Sequence, residues 1–117
     1  MLKVYSSYNC SSCKKTMQWL KANGIGFEEY NFFSQDLTEE EVVNILKYAH
    51  NGFEDIISER SKIYLKYKEQ LDEMTTKELI NFIITNPSIL KRPLLVDHAM
   101  EIILVGYNEN DLEDELI

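Results

Sequence analysis

A mixed α/β architecture is the expectation for this 117-residue chain: a four-stranded sheet with helices on both faces, laid out as βαβ, a helical insertion and ββα. Three observations carry it. A short apolar run, Leu2-Lys3-Val4-Tyr5, is followed by Cys10-Ser11-Ser12-Cys13 and then by a helix-like run, Lys14 to Leu20. Two capping boxes, Thr38-Glu39-Glu40-Glu41 and Thr75-Thr76-Lys77-Glu78, punctuate the middle. Two apolar runs, Leu94-Leu95-Val96 and Ile102-Ile103-Leu104-Val105, come near the end with five residues between them, a hairpin pattern.

Taken in order, residues 2–5 read as a strand and 11–23 as a helix, which Gly24-Ile25-Gly26 stops. Phe27 to Tyr30 reads as a second strand, parallel to the first because a helix lies between them. After the Thr38 box, Val42, Ile45, Leu46 and Ala49 share one helical face, and Asn51-Gly52 ends that helix. Ser58 reads as the next start signal, with Ile63, Tyr64 and Tyr67 at helical spacing over Glu59 to Lys68. Leu79, Phe82 and Ile83 follow the Thr75 box, and Asn86-Pro87 closes it. Gly106-Tyr107-Asn108 turns the chain into a short acidic helix, Glu109 to Leu116. The expectation is one domain, residues 1–117, with the helical insertion at about 36–88. The aromatic residues of the insertion, Tyr48, Phe53, Tyr64, Tyr67 and Phe82, read largely as core.

Composition narrows the function. The net charge is −8, so a broad electrostatic grip on nucleic acid is excluded for the chain alone. No basic-plus-apolar leader opens the sequence and no apolar stretch reaches the roughly 20 residues of a membrane span. Two cysteines are too few for a secreted disulfide scaffold, so a cytoplasmic setting is expected, where a disulfide is a signal or an intermediate.

Cys10 and Cys13 are the residues with most chemistry in them. A C-x-x-C between a strand and a helix puts the first sulfur at a helix N-terminus, where free N–H groups and the helix dipole favour thiolate. Lys14 and Lys15 add positive charge beside it. The pattern reads as a thiol–disulfide couple on a thioredoxin-like fold, Cys10 attacking and Cys13 resolving. Two structural thiols are the bland alternative. A zinc site would have to recruit His50 and His98, which lack paired ligand spacing. In Arg92-Pro93, the proline precedes the Leu94 run, the place of a cis proline facing the C-x-x-C loop in such folds. An ordinary strand-start proline with a solvated arginine is the alternative. Only two of the twelve basic residues are arginines, Arg60 and Arg92, which suggests that the guanidinium fork matters at both. Arg60, on the predicted helix, reads equally as a salt-bridge residue.

Four stretches in order resemble the Spx family of transcription regulators, in the arsenate reductase-like branch of the thioredoxin fold. They are Tyr8-Asn9-Cys10-Ser11-Ser12-Cys13-Lys14-Lys15, Gly52 to Lys62, Leu90-Lys91-Arg92-Pro93 and Val105-Gly106-Tyr107-Asn108. The resemblance implies binding to the C-terminal domain of the RNA polymerase α subunit, redirection of transcription during thiol stress, and a Cys10–Cys13 disulfide as the switch. It implies that Arg92 responds to that disulfide, that Arg60 lies in a rearranging region, and that the surface around Gly52 and Arg60 faces the polymerase. DNA would be contacted only within the polymerase complex, and no cofactor or metal is implied. Turnover by the Clp protease or its adaptor is also implied, through a basic C-terminal segment. This sequence instead ends in acidic Asp111-Leu112-Glu113-Asp114-Glu115-Leu116-Ile117.

The same branch includes arsenate reductases, so an enzyme reading stands beside the regulator. Those enzymes carry one nucleophilic cysteine at the position of Cys10 and cradle the oxyanion with three arginines. Arg60 and Arg92 match two of them, and Tyr107 stands where the third would be. An oxyanion missing one bidentate partner loses much of its stabilisation, which disfavours arsenate reduction. A polymerase-binding paralogue without redox control is a further alternative. A glutaredoxin-like general reductase is weaker, since the usual Pro-Tyr between the cysteines is absent.

Overall fold

The computed structural model describes residues 1–117 apart from Phe33. The chain forms two compact units, Met1–Asn31 with Arg92–Ile117, and Phe32–Lys91.

The first unit holds β1 (Leu2–Ser6), α1 (Ser11–Ala22), β2 (Phe27–Asn31) and, after the second unit, three further elements, β3 (Leu94–Asp97), β4 (Ile102–Val105) and the C-terminal helix (Glu109–Leu116). These four strands make one mixed sheet in the order β2-β1-β3-β4. β1 runs parallel to β2, with Val4 opposite Glu29, and antiparallel to β3, with Val4 opposite Leu95. β3 and β4 close as the expected hairpin, Leu94 opposite Val105. The fold is therefore the mixed four-stranded α/β arrangement read from the sequence.

Packing on one sheet face follows from strand alternation. Leu2, Val4 and Leu95 point to a single cluster that Leu20 of α1 and Leu112 of the C-terminal helix complete. All five are essentially excluded from solvent. α1 ends where Gly24 adopts φ 67°. The Gly24 N–H bonds Lys21 O at 3.2 Å and the Ile25 N–H bonds Leu20 O at 2.9 Å, the paired closure of a Schellman motif. Ile25 then packs beside Leu20 in the same cluster. β2 is an edge strand and exposes Glu28 and Glu29, charges that discourage further pairing.

The second unit contains α2 (Glu39–Tyr48), α3 (Phe53–Ile56), α4 (Lys62–Asp72), α5 (Thr76–Thr85) and a 3-10 turn, Pro87–Ile89, so the helix at Glu109–Leu116 is α6. Both capping boxes form. Thr38 accepts from Glu41 N and Glu41 returns to the Thr38 N–H, and Thr75 and Glu78 do the same. α2 packs on α5, and Val42, Ile45, Ile80 and Ile83 are all buried. Tyr67 meets Phe82 edge-on, centroids 5.5 Å apart.

Three readings of this region change. α3, a single turn, was not anticipated; it follows directly on the Gly52 break. α4 starts at Lys62 with Ser61 as its N-cap, three residues later than Ser58. The delay has a long-range cause. Ile57 bridges Leu90, the Ser58 N–H donates to Ile89 O at 2.8 Å, and the Lys91 N–H donates to Ile56 O at 2.8 Å. Residues 56–58 are held in this pairing, so helix cannot begin there. Arg60 consequently lies in the turn before α4 and not on a helix. The five insertion aromatics are only partly buried, and apart from Phe32 the described buried positions of this unit are aliphatic.

Leu112 anchors the last helix through one buried side chain, 1 % exposed. Leu112→Ala should lower unfolding free energy by about 3 kcal/mol, read from the shift in urea midpoint.

Candidate functional site

Cys10 is the N-cap residue of α1, with φ −100° and ψ 105°. Its Sγ accepts from the Cys13 N–H at 3.1 Å, and its carbonyl accepts from the Lys14 N–H at 3.2 Å. The two sulfurs are joined as a disulfide, with Cα atoms 5.2 Å apart, inside the normal span for such bonds. Asn9 makes the corner with φ 57°, a left-handed conformation that asparagine tolerates better than most residues. The first turn of α1 has no acidic residue, so no negative charge opposes a thiolate there. Lys14 and Lys15 are solvent-exposed. Cys10 is half-buried and Cys13 only 1 % exposed. Thr16 seals the helix behind them, its Oγ1 donating to Ser12 O at 2.8 Å. The geometry offers one reachable sulfur and one sheltered sulfur, held at the end of a helix that stabilises negative charge.

Three more sequence candidates gather at the same end of this sheet. Leu94 pairs with Tyr5, so Arg92 and Pro93 sit where β1 hands over to the Cys10 loop. The Arg92–Pro93 bond is cis and Pro93 is buried. The Pro93 carbonyl accepts from the Gly106 N–H at 2.8 Å, which brings the start of the Gly106-Tyr107 turn to this edge. Arg92 is partly buried, and its guanidinium has no hydrogen bond or ion pair among the described residues. His98 lies in the opposite, hairpin end of β3, and His50 in the second unit. Among the described residues no three His, Cys, Asp or Glu side chains group as a metal site.

Gly52 and Arg60 belong to the second unit. Gly52 is the N-cap of α3 at φ 61° and ψ −132°, a region essentially closed to residues with a Cβ. An added Cβ would meet nothing within 4 Å, so its backbone angles, and not crowding, demand glycine. The turn is clamped by a pair that sequence reasoning missed. Asp55 accepts from the Asn51 N–H at 3.0 Å and from Asn51 Nδ2 at 3.2 Å. Those hydrogen bonds, chiefly the backbone one, hold the Asp55 carboxyl below its ordinary range, with help from Lys91 and His50. The Asn-x-x-x-Asp spacing around a glycine was the available signal. Arg60 is exposed and has no ion pair among the described residues. It borders a groove of about 500 Å³ with Ser58, Glu54, Ile57, Glu59 and Lys91.

A thiol pair opening the first helix of a β2-β1-β3-β4 sheet, beside a cis proline, defines a thioredoxin-like protein of the arsenate reductase-like branch. Residues 5–114 match the model of the ArsC family. An ArsC-family-related protein from Bacteroides fragilis superposes with a TM-score of 0.82 at 26% identity, over 97% of this chain and 95% of that one. Within that branch the chain belongs to the Spx family. It is 39% identical over 112 residues to the global transcriptional regulator Spx of Streptococcus mutans, spanning 96% of this chain and 80% of that protein. The global transcriptional regulator Spx 1 of Oceanobacillus iheyensis is 38% identical, over 96% of this chain and 84% of its own length. No helix among the described residues is long and apolar enough to cross a membrane.

Two outcomes follow from this geometry. After full reduction, iodoacetamide should alkylate Cys10 roughly tenfold faster than the buried Cys13, by timed peptide mass spectrometry. The Asp55 carboxyl should titrate below an unperturbed aspartate by NMR. Its folded-state pKa is depressed, so its contribution to stability is complete above the unfolded value and disappears as pH falls through the folded one. Asn51→Ala removes the side-chain hydrogen bond and keeps the backbone one, so it should raise the Asp55 titration only part of the way toward the ordinary range.

Proposed function

We propose that this chain is a thiol-responsive transcription regulator that binds the C-terminal domain of the RNA polymerase α subunit. The observation that carries the reading is the Cys10–Cys13 pair, closed as a disulfide at the N-terminus of α1, in a chain 39% identical to a global transcriptional regulator. Oxidation removes two electrons and two protons from the dithiol and forms one S–S bond, with a peroxide or a low-molecular-weight disulfide as acceptor. Reduction by a cellular dithiol reverses it. The pair therefore reports thiol status without a cofactor.

In this reading Arg92, a guanidinium with no ion pair among the described residues and set at the thiol end of the sheet, is coupled to the state of the switch. The turn at Gly52 and the neighbouring Arg60 contribute the polymerase-facing surface. An acidic protein of net charge −8 suits a partner that is basic because it handles DNA, and DNA is contacted only in that complex. The protein then acts in the cytoplasm, where the polymerase is.

Membership of the ArsC family favours one competing reading, thiol-dependent reduction of arsenate. It is ranked second because Tyr107 occupies the place of a third oxyanion-binding arginine, and tyrosine supplies no cation. A constitutive polymerase-binding module, indifferent to the thiols, ranks third.

The purified α C-terminal domain should bind the oxidised protein more tightly than the dithiothreitol-reduced protein, and Cys10→Ala should remove that difference. Equal binding in both states would favour the constitutive module. Absence of binding by folded protein, together with arsenate turnover, would favour the reductase.

A further inference from the structure

A second hollow in the Phe32–Lys91 unit has no place in the thiol chemistry. Its volume is about 200 Å³. Ile57 and Leu71, 8 % and 7 % exposed, form its apolar floor, and the half-buried ring of Tyr64 forms a wall. Glu54, Glu59 and Asp72 stand at its exposed rim. None of these three carboxylates has a hydrogen bond or ion pair to its side chain among the described residues. The lysines of α4, Lys62, Lys66 and Lys68, are absent from its lining.

We infer that this hollow is an anchor pocket for one arginine side chain of the basic partner surface. The identity of that partner rests on the polymerase reading above; the chemistry of the pocket does not. Several features select arginine. The volume is below the roughly 300–1,000 Å³ of small-molecule sites and suits a single side chain. The apolar floor takes the methylene stem, which buries while its charged head stays near water. Three unpaired carboxylates meet a guanidinium, whose fork donates to two of them at once. The Tyr64 ring adds a face for cation–π contact, which favours guanidinium over ammonium. A buried arginine in a pocket ringed by polar groups is a common form of interface hot spot. An acidic or neutral side chain would gain nothing from this rim, whose Glu54 and Glu59 also border the groove that holds Arg60 and Lys91, while Asp72 does not.

The probe is n-butylguanidinium, an arginine side-chain mimic, titrated into the full chain by NMR, with n-butanol as the neutral control. Saturable shifts confined to the side chains that line the hollow, read at the methyls of Ile57, Leu71 and Leu79 and at the rings of Phe53 and Tyr64, are expected, with no such shifts from butanol. The double variant Glu59→Gln with Asp72→Asn keeps size and should weaken both this binding and capture of the α C-terminal domain by roughly tenfold or more, from about fivefold per rim charge. Equal responses to butanol, or no saturable shift, overturn the pocket. So does a double variant that still binds the α domain as tightly as the parent chain. Saturable guanidinium binding by a chain that ignores the α domain supports the pocket and removes the polymerase reading alone. Unchanged thermal unfolding of the double variant establishes that its loss is local.

Discussion

β1 is paired on both edges, in parallel with β2 and antiparallel with β3, and the thiol end of the first unit depends on that double pairing. An interior strand has its backbone groups satisfied on both sides and buries its side chains on both faces. Val4 and Tyr5 are 0 % and 1 % exposed. Its position is therefore fixed far more firmly than an edge strand's. The loop that carries Cys10 begins where this strand ends, and α1 begins at Cys10 itself. The parallel partner β2 requires a crossover, and α1 is that crossover. The antiparallel partner β3 brings Arg92 and Pro93 to the same end. Thiols, guanidinium and proline converge because one strand sets the register of all three segments.

That convergence was largely readable from residues. The C-x-x-C lay between an apolar run and a helical one, so its place at a helix N-terminus was legible. The two capping boxes were legible because each cap is a contact within four residues. The hairpin of β3 and β4 was legible from its apolar runs. What escaped reading depends on partners distant in sequence. Ser58 and Ser61 are equally good N-caps on paper. The choice falls to Ser61 because Ile56, Ile57 and Ser58 are committed to Leu90, Ile89 and Lys91, some thirty residues away. The Ser58 carbonyl then accepts both the Ser61 N–H and the Ser61 hydroxyl. Arg60 moved off the helix with that boundary. The Asn51–Asp55 clamp also escaped, because an exposed Asn and Asp four apart have no meaning until a turn places them face to face.

Gly52 shows how a sequence signal can be right about a position and incomplete about its cause. A glycine at a surface invites the idea that a partner comes close. Its own dihedral angles supply a sufficient local reason, since no other residue holds φ 61° with ψ −132° cheaply. A substitution there would disturb the turn and any contact together. The carboxylates around the nearby hollow are the cleaner place to separate the two effects. Glu59 and Asp72 can lose charge without changing the backbone, and neither side chain caps a helix.

The thiols lie in the first unit, whereas Gly52, Arg60 and the acid-rimmed hollow lie in the second. For a thiol switch to alter partner binding, the two properties must be thermodynamically coupled, and the coupling must run both ways. If oxidation tightens binding to the α subunit tenfold, binding must favour the disulfide over the dithiol by the same factor. For a two-electron couple that is a shift of about 30 mV toward more reducing potentials. A bound regulator would then resist reduction longer than a free one, and release from the polymerase would precede or accompany the return of the thiols. The signal would persist while the complex lasts, with no additional residue needed to store it. Linkage of this kind also distinguishes a regulator from the reductase alternative, in which the disulfide is an intermediate that every turnover must clear. A partner that stabilises such an intermediate would slow catalysis; for a switch, the same stabilisation is memory.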